Sequence, residues 1–204
     1  MSEEEFKYVM SENPSGEPTM KSEVFAFLWE TIKIVVVSLI IILPIRYYIV
    51  QPFFVKGASM ESNFEDGDYI FVDELSYGLG NPSRGDVVIF RYPLDQSQFF
   101  IKRVIGLPNE TIDIKNNKVT IYNAQHPEGV VLNETYLDPG QQTLGTSRIK
   151  LDSNDYFVLG DNRLRSSDSR TWGVLNRSFI TGKAFIRLWP FSKLGTVPHF
   201  SYPI

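Results

Sequence analysis

Asp86-Val-Val-Ile-Phe-Arg-Tyr92 and Phe99-Phe-Ile-Lys-Arg-Val-Ile105 are the stretches on which the fold turns. Both are short and rich in β-branched and aromatic residues, the composition that suits a half-buried pleated surface. Comparable runs recur at Tyr69–Val72, Thr111–Ile114, Lys118–Tyr122, Asp155–Leu159 and Lys183–Trp189. Turn signals stand among them at Asp66-Gly67, Asn81-Pro82, Pro108-Asn109, Asn116-Asn117, Pro139-Gly140 and Gly160-Asp161. That pattern predicts a mainly β, antiparallel domain over residues 51–204, without internal repeats. Residues 123–147 carry weaker strand signals and more polar side chains, and read as a connecting excursion. Loops of that length are uncommon unless functional or separately folded.

Upstream the pattern changes. Residues 1–23 are polar and acidic, with Pro14, Gly16 and Pro18, and read as a flexible tail. Residues 24–50 are strongly apolar, and the stretch from Phe25 to Ile45 matches the roughly 20 residues a spanning helix needs. Glu30 and Lys33 fall inside it, so a buried helix of a soluble domain is the competing reading. Against a cleaved export signal stand the long preceding tail and the following Arg46, Tyr47 and Tyr48, which suit interfacial anchoring. Lys7, Lys21 and Lys33 against Arg46 and Lys56 give a slight positive-inside bias toward a cytoplasmic amino terminus and an extracytoplasmic domain.

Composition narrows the chemistry. The 204 residues include no cysteine and two histidines, and the net charge is -4. Disulfides, thiolate nucleophiles and cysteine-ligated zinc are excluded, and no basic block of the kind that binds nucleic acid is present. His126 and His199 belong to no metal-ligand motif, so neither a metal nor another cofactor is expected. Both lie outside the motif-rich segments and read as surface residues, which leaves a Ser-His-Asp triad without its histidine.

A lysine can replace histidine as base if burial disfavours its ammonium form. Strand alternation puts Phe100, Lys102 and Val104 on one face and Ile101 and Arg103 on the other. Lys102 thus shares its face with apolar neighbours. The strand pattern alone favours a lysine whose stem packs while its amine reaches water. Ser59, in Val55-Lys-Gly-Ala-Ser-Met60, reads on its own as a turn serine capping a following segment, the commoner fate of serine, before it reads as a nucleophile.

Four segments stand out in order: Val55-Lys-Gly-Ala-Ser-Met60 with Gly67-Asp68, Arg84-Gly-Asp-Val-Val-Ile-Phe90, Phe100-Ile-Lys-Arg-Val-Ile-Gly-Leu-Pro108, and Gly160-Asp-Asn-Arg-Leu-Arg-Ser-Ser-Asp-Ser-Arg170 with Trp172-Gly173. Downstream of one apolar span, they resemble the sequence boxes of bacterial type I signal peptidases, the leader peptidases, a family of Ser–Lys dyad serine proteases. The resemblance implies a single-pass cell-membrane enzyme that cuts exported preproteins after small-x-small sites. It implies Ser59 as nucleophile and Lys102 as general base. Ser166 would hydrogen-bond the Lys102 amine, and Asp168 and Arg170 would pair to brace the loop. Asp161 and Asn162 are expected to hold their turn through local side-chain hydrogen bonds. Met60, Phe64, Phe100 and Ile101 are the candidate walls of the substrate pocket.

The chain departs from the family in three places. Ser62 stands for the usual proline, which releases a fixed φ, and Phe64 stands for leucine and would reshape the neighbouring pocket. Gly57 occupies the position where some members carry a serine whose hydroxyl is a second oxyanion donor. These departures define an alternative, a catalytically impaired relative that binds exported chains. A self-cleaving SOS repressor, the other Ser–Lys class considered, carries a DNA-binding domain where this chain has an apolar span. A membrane-anchored interaction module would leave the four ordered boxes unexplained.

Overall fold

The structure, a computed structural model, describes residues 20–44 and 50–203. Two compact units are present, Met1–Ile45 and Arg46–Ile204. Most of the polar tail and the anchors Arg46, Tyr47 and Tyr48 lie outside the described residues.

In the first unit, one helix, α1, spans Met20–Pro44. No glycine or proline interrupts it before Pro44, and its Leu, Ile and Val side chains leave no polar face. It takes in four residues assigned above to the tail. Within it Glu23–Leu43, 21 residues, is long and apolar enough to cross a bilayer. Lys33 Nζ and Glu30 Oε1 sit 2.6 Å apart, one turn from each other. Neutralising each other in this way lowers the cost of carrying two charges in an apolar segment.

The second unit is mainly β, and its strands pair antiparallel, as its short strand-like runs predict. Its strands are β1 (Val50–Phe54), β2 (Tyr69–Asp73), β3 (Val87–Tyr92), β4 (Asp95–Gly106), β5 (Thr111–Lys115), β6 (Lys118–Tyr122), β7 (Val130–Val131), β8 (Ser147–Lys150), β9 (Asp155–Leu159), β10 (Leu175–Asn176), β11 (Ile180–Trp189) and β12 (Gly195–Thr196). A large sheet runs β1-β2-β11-β3-β4-β9-β10, with β12 on β11, and a small one runs β7-β6-β5-β8. Val50, read from sequence as the end of the anchor, opens β1. Pro52 is tolerated there because β1 is an edge strand and needs no second ladder of hydrogen bonds. The excursion supplies β7 and β8, which flank the small sheet. At the β5–β6 turn Asn116 and Asn117 both take positive φ, 53° and 59°, the conformation a tight hairpin requires.

β3 and β4 form a hairpin closed by Tyr92↔Asp95, with Val88 opposite Lys102 and Ile89 opposite Ile101. The alternation splits β4 between two cores. Ile101 packs with Val55, Met60, Phe64, Ile70, Val87 and Ile89 on one side. Val104 joins Val88, Phe90, Tyr156, Val158 and Leu175 on the other, with Phe100 packed against them. A third cluster joins the sheets, as Ile112, Ile114, Val119 and Ile121 meet Ile105, Phe157 and Leu159. Each such side chain contributes about 1.5–3 kcal/mol by leaving water, so β4 is anchored on both faces along the segment that carries Lys102.

Candidate active site

The loop between β1 and β2 holds Ser59. It is closed at its base by Val55 N–H donating to Asp68 O (2.8 Å) and Gly67 N–H to Val55 O (3.0 Å). Gly57 has φ +87°, a left-handed conformation that side chains other than glycine rarely adopt, and its N–H donates to Asp66 Oδ1 at 2.6 Å. Met60 and Phe64 anchor the loop in the core with 0% and 1% exposure. Ser59 itself stays half-buried, and its carbonyl accepts from Asn162 N–H at 3.0 Å. Among the described residues the Ser59 N–H donates to no other group.

Lys102 comes from the middle of β4 and is 3% exposed. Its Nζ lies 2.7 Å from Ser59 Oγ, 2.8 Å from Ile101 O and 5.3 Å from the centre of the Phe100 ring. Burial pushes its pKa down to about 8, with the charges of Asp168 and Asp161 opposing part of that fall. Desolvation dominates because no carboxylate bonds the amine directly. A hydroxyl and a poorly hydrated amine in contact can exchange a proton, which is the requirement for nucleophilic attack by serine.

The third part of the site is the loop after β9. Asp168 caps the short helical turn Ser169–Trp172 by accepting from Arg170 N–H, and it also accepts from Gly160 N–H at 3.1 Å. Arg170 meets both Asp168 carboxylate oxygens at 2.8 Å and also donates to Arg163 O at 2.7 Å. Gly160 sits so close to its neighbours that a Cβ there would lie 2.2 Å from Ser166 Oγ and 2.4 Å from Ser59 O.

Several expectations need correction. Ser166 Oγ is buried and makes no hydrogen bond among the described residues. The Lys102 amine is occupied by Ser59 Oγ and Ile101 O, while Ser166 packs on Gly160. The Asp161 side chain does not bond locally: it pairs with Arg103 at 2.6 Å and accepts from Asn63 at 2.9 Å. Asn162 likewise reaches Glu61, at 3.4 Å, and the Ser59 carbonyl. A groove of about 610 Å³ beside Ser59 and Lys102 is lined by Phe53, Ile70, Ile89, Phe99, Phe100 and Ile101, among others. Phe100 and Ile101 are therefore groove residues. Met60 and Phe64 are core residues outside it, and the Phe64 ring lies 5.1 Å under the Arg187 guanidinium. Ser62, without the family's proline, is tethered by its hydroxyl to Asp138 Oδ1 at 2.9 Å. Neither histidine lines the groove, and His199 Nδ1 lies 3.3 Å from Asp86.

Two buried ion pairs beside the site escaped the sequence reading, Arg103–Asp161 and Arg163–Glu134. Their partners are 58 and 29 residues apart in the chain, so no local pattern announces them.

Comparison with known proteins bears on most of the chain. The model of the signal peptidase family, peptidase S26, matches residues 28–189. A probable signal peptidase I-1 of Synechocystis is 34% identical over 86% of this chain and 90% of its own length. Signal peptidase I of Leptolyngbya laminosa is 35% identical over 82% of this chain and 83% of its own. Signal peptidase IB of Staphylococcus aureus is 30% identical over 81% and 92%. With that match over most of its length, the chain belongs to the signal peptidase family, peptidase S26.

Proposed function

We propose that this signal peptidase is a membrane-anchored serine endopeptidase that removes signal peptides from exported preproteins after small-x-small sites, with Ser59 as nucleophile and Lys102 as general base. The observation that carries the reading is the 2.7 Å contact between Ser59 Oγ and a Lys102 amine only 3% exposed. Neutral Lys102 takes the Ser59 proton as Oγ attacks the scissile carbonyl, and the resulting ammonium protonates the leaving amine. The acyl-enzyme is then hydrolysed by a water that Lys102 deprotonates in turn. The Ser59 N–H, which has no acceptor among the described residues, is the donor to the oxyanion. Gly57 N–H is engaged by Asp66, so it is not the second donor in this conformation. Asp168 and Arg170 support the loop without exchanging protons.

Substrate binding follows from the sheet. β4 pairs with β3 along Phe99–Arg103, but its opposite edge meets β9 only from Arg103 onward. The edge from Gln98 to Lys102 is thus open beside the groove, and an extended peptide adds there as a strand. Phe99 and Ile101, alternating along that edge, present side chains to the groove, and Phe53 packs edge-to-face on Phe99 at 5.2 Å. Apolar walls of this kind favour alanine-sized side chains over charged ones.

In the same reading Glu23–Leu43 anchors the enzyme, with the amino terminus cytoplasmic and the β domain of residues 51–204 extracytoplasmic. The exposed Phe54, Trp189 and Phe191 lie in the interface, where amphipathic aromatics are stable. The test is cleavage of a model preprotein in detergent or vesicles. Ser59→Ala and Lys102→Ala are each expected to abolish it while the circular dichroism spectrum stays that of the parent. Retained cleavage by either folded variant refutes the assignment.

A further inference from the structure

Residues Glu134–Asp138, in the excursion beyond the small sheet, touch each of the three segments that carry the site. Glu134 Oε2 accepts from Arg163 at 2.9 Å, and its other oxygen accepts from a second Arg163 nitrogen. Arg163 is itself fully enclosed, at 2% exposure, and its remaining donors go to Tyr136 OH (2.8 Å), Thr143 Oγ1 and Gly160 O (3.0 Å). The Tyr136 ring lies 4.3 Å from the guanidinium of Arg103, the residue after Lys102. The Tyr136 carbonyl accepts from Asn63 (3.1 Å), and Asp138 accepts from Ser62 (2.9 Å), both a few residues after Ser59.

These contacts converge on Gly160. Its carbonyl is held by Arg163, its N–H by Asp168, and its α-carbon face presses on Ser166 and on the Ser59 carbonyl. A shift of Arg163 moves that strand end and, with it, the backbone that bears the nucleophile.

We infer that Glu134 and Tyr136 are positioning residues for the hydrolysis, forming a clasp that fixes the nucleophile loop, the lysine strand and the loop after β9 in one mutual placement. This rests on the reading of Ser59 and Lys102 as the reacting pair. The clasp touches neither groove nor amine, so its loss alters turnover and leaves substrate binding in place. Misplacing a nucleophile by a fraction of an ångström to an ångström costs about 10- to 100-fold in rate. Loosening the loop also admits water to the Lys102 amine, which returns its pKa toward the ordinary lysine value.

The experiment uses the full chain in detergent with a small-x-small peptide substrate, comparing the parent with Glu134→Gln, Tyr136→Phe and Ser59→Ala. Glu134→Gln is expected to lower kcat at least tenfold, leave KM within about twofold, and move the acidic limb of the pH–rate profile to higher pH. Tyr136→Phe keeps the ring on Arg103, removes one donor–acceptor group, and shifts the same quantities less. It carries the test should Glu134→Gln not fold. A folded variant of either kind with parental kcat and pH profile, or with its loss confined to KM, overturns the clasp. Cleavage by Ser59→Ala, by contrast, overturns the dyad on which it rests, so the two failures are separable.

Discussion

Arg103 grips Asp161 through two contacts, Nε to Oδ1 at 2.9 Å and a terminal nitrogen to Oδ2 at 2.6 Å, in a pair whose side chains are 4% and 1% exposed. The pair ties β4 at the residue after Lys102 to the loop after β9. Replacing Asp161 with Ala leaves a buried guanidinium without its counter-charge, which costs about 3–5 kcal/mol. Urea unfolding of Asp161→Ala is expected to show a loss of that size with an unchanged slope. A loss below about 1 kcal/mol would mean that Arg103 finds water or another acceptor.

The depressed Lys102 pKa sets the pH dependence of the reaction. In the proposed Ser59–Lys102 mechanism the base must be neutral, so kcat/KM is expected to rise with pH up to about 8 and to level above it. Below that point it should fall tenfold per pH unit. A pH–rate profile on a short peptide checks this, and a midpoint near 10 would show a hydrated amine.

The same depression is a stability statement. The unfolded chain, with an ordinary lysine pKa, binds this proton more tightly than the folded one, so below about 8 the native state carries the full penalty. That penalty is on the order of 3 kcal/mol and fades as pH rises through 8 toward the ordinary value of about 10.4. Lys102→Met, which fills the same space without a charge, is therefore expected to be inactive yet more stable at pH 7. Its advantage should shrink above pH 8, as melting temperatures across that range will reveal.

Gly160 tests the closeness of the site. A methyl group there meets Ser166 and the Ser59 carbonyl well inside van der Waals contact. Gly160→Ala is expected to lower kcat by roughly 100-fold through displacement of the nucleophile loop. Single-turnover kinetics on the folded variant would separate that effect from weakened binding.

Groove and core make opposite predictions for two residues first considered together. Ile101→Ala enlarges the groove and is expected to broaden the cleavage site toward larger side chains, read by mass spectrometry of products. Phe64→Leu sits in the core under Arg187 and should cost about 1 kcal/mol of stability without changing the preferred site.

What the sequence by itself determined was the class of the fold and the apolar span, and its resemblance to a family nominated the reacting pair proposed above. Thr111–Lys115 was legible because burial on one face imposes a two-residue period, and Val87–Tyr92 because burial on both faces leaves a continuous apolar run. Strand β8, with its half-exposed Ser-Arg-Ile-Lys, and β1, with its proline, were not, because edge strands need neither a strong period nor a full ladder. Ser59 and Lys102 came from family likeness, since a serine in a turn and a lysine in a strand are locally unremarkable. Only the tertiary structure decided their surroundings: Ser166 turned onto Gly160, Phe64 assigned to the core, and Arg103 and Arg163 paired with carboxylates far along the chain. Ion pairs and close packing depend on which segments the sheets bring together, and that information has no local period to leave in the sequence.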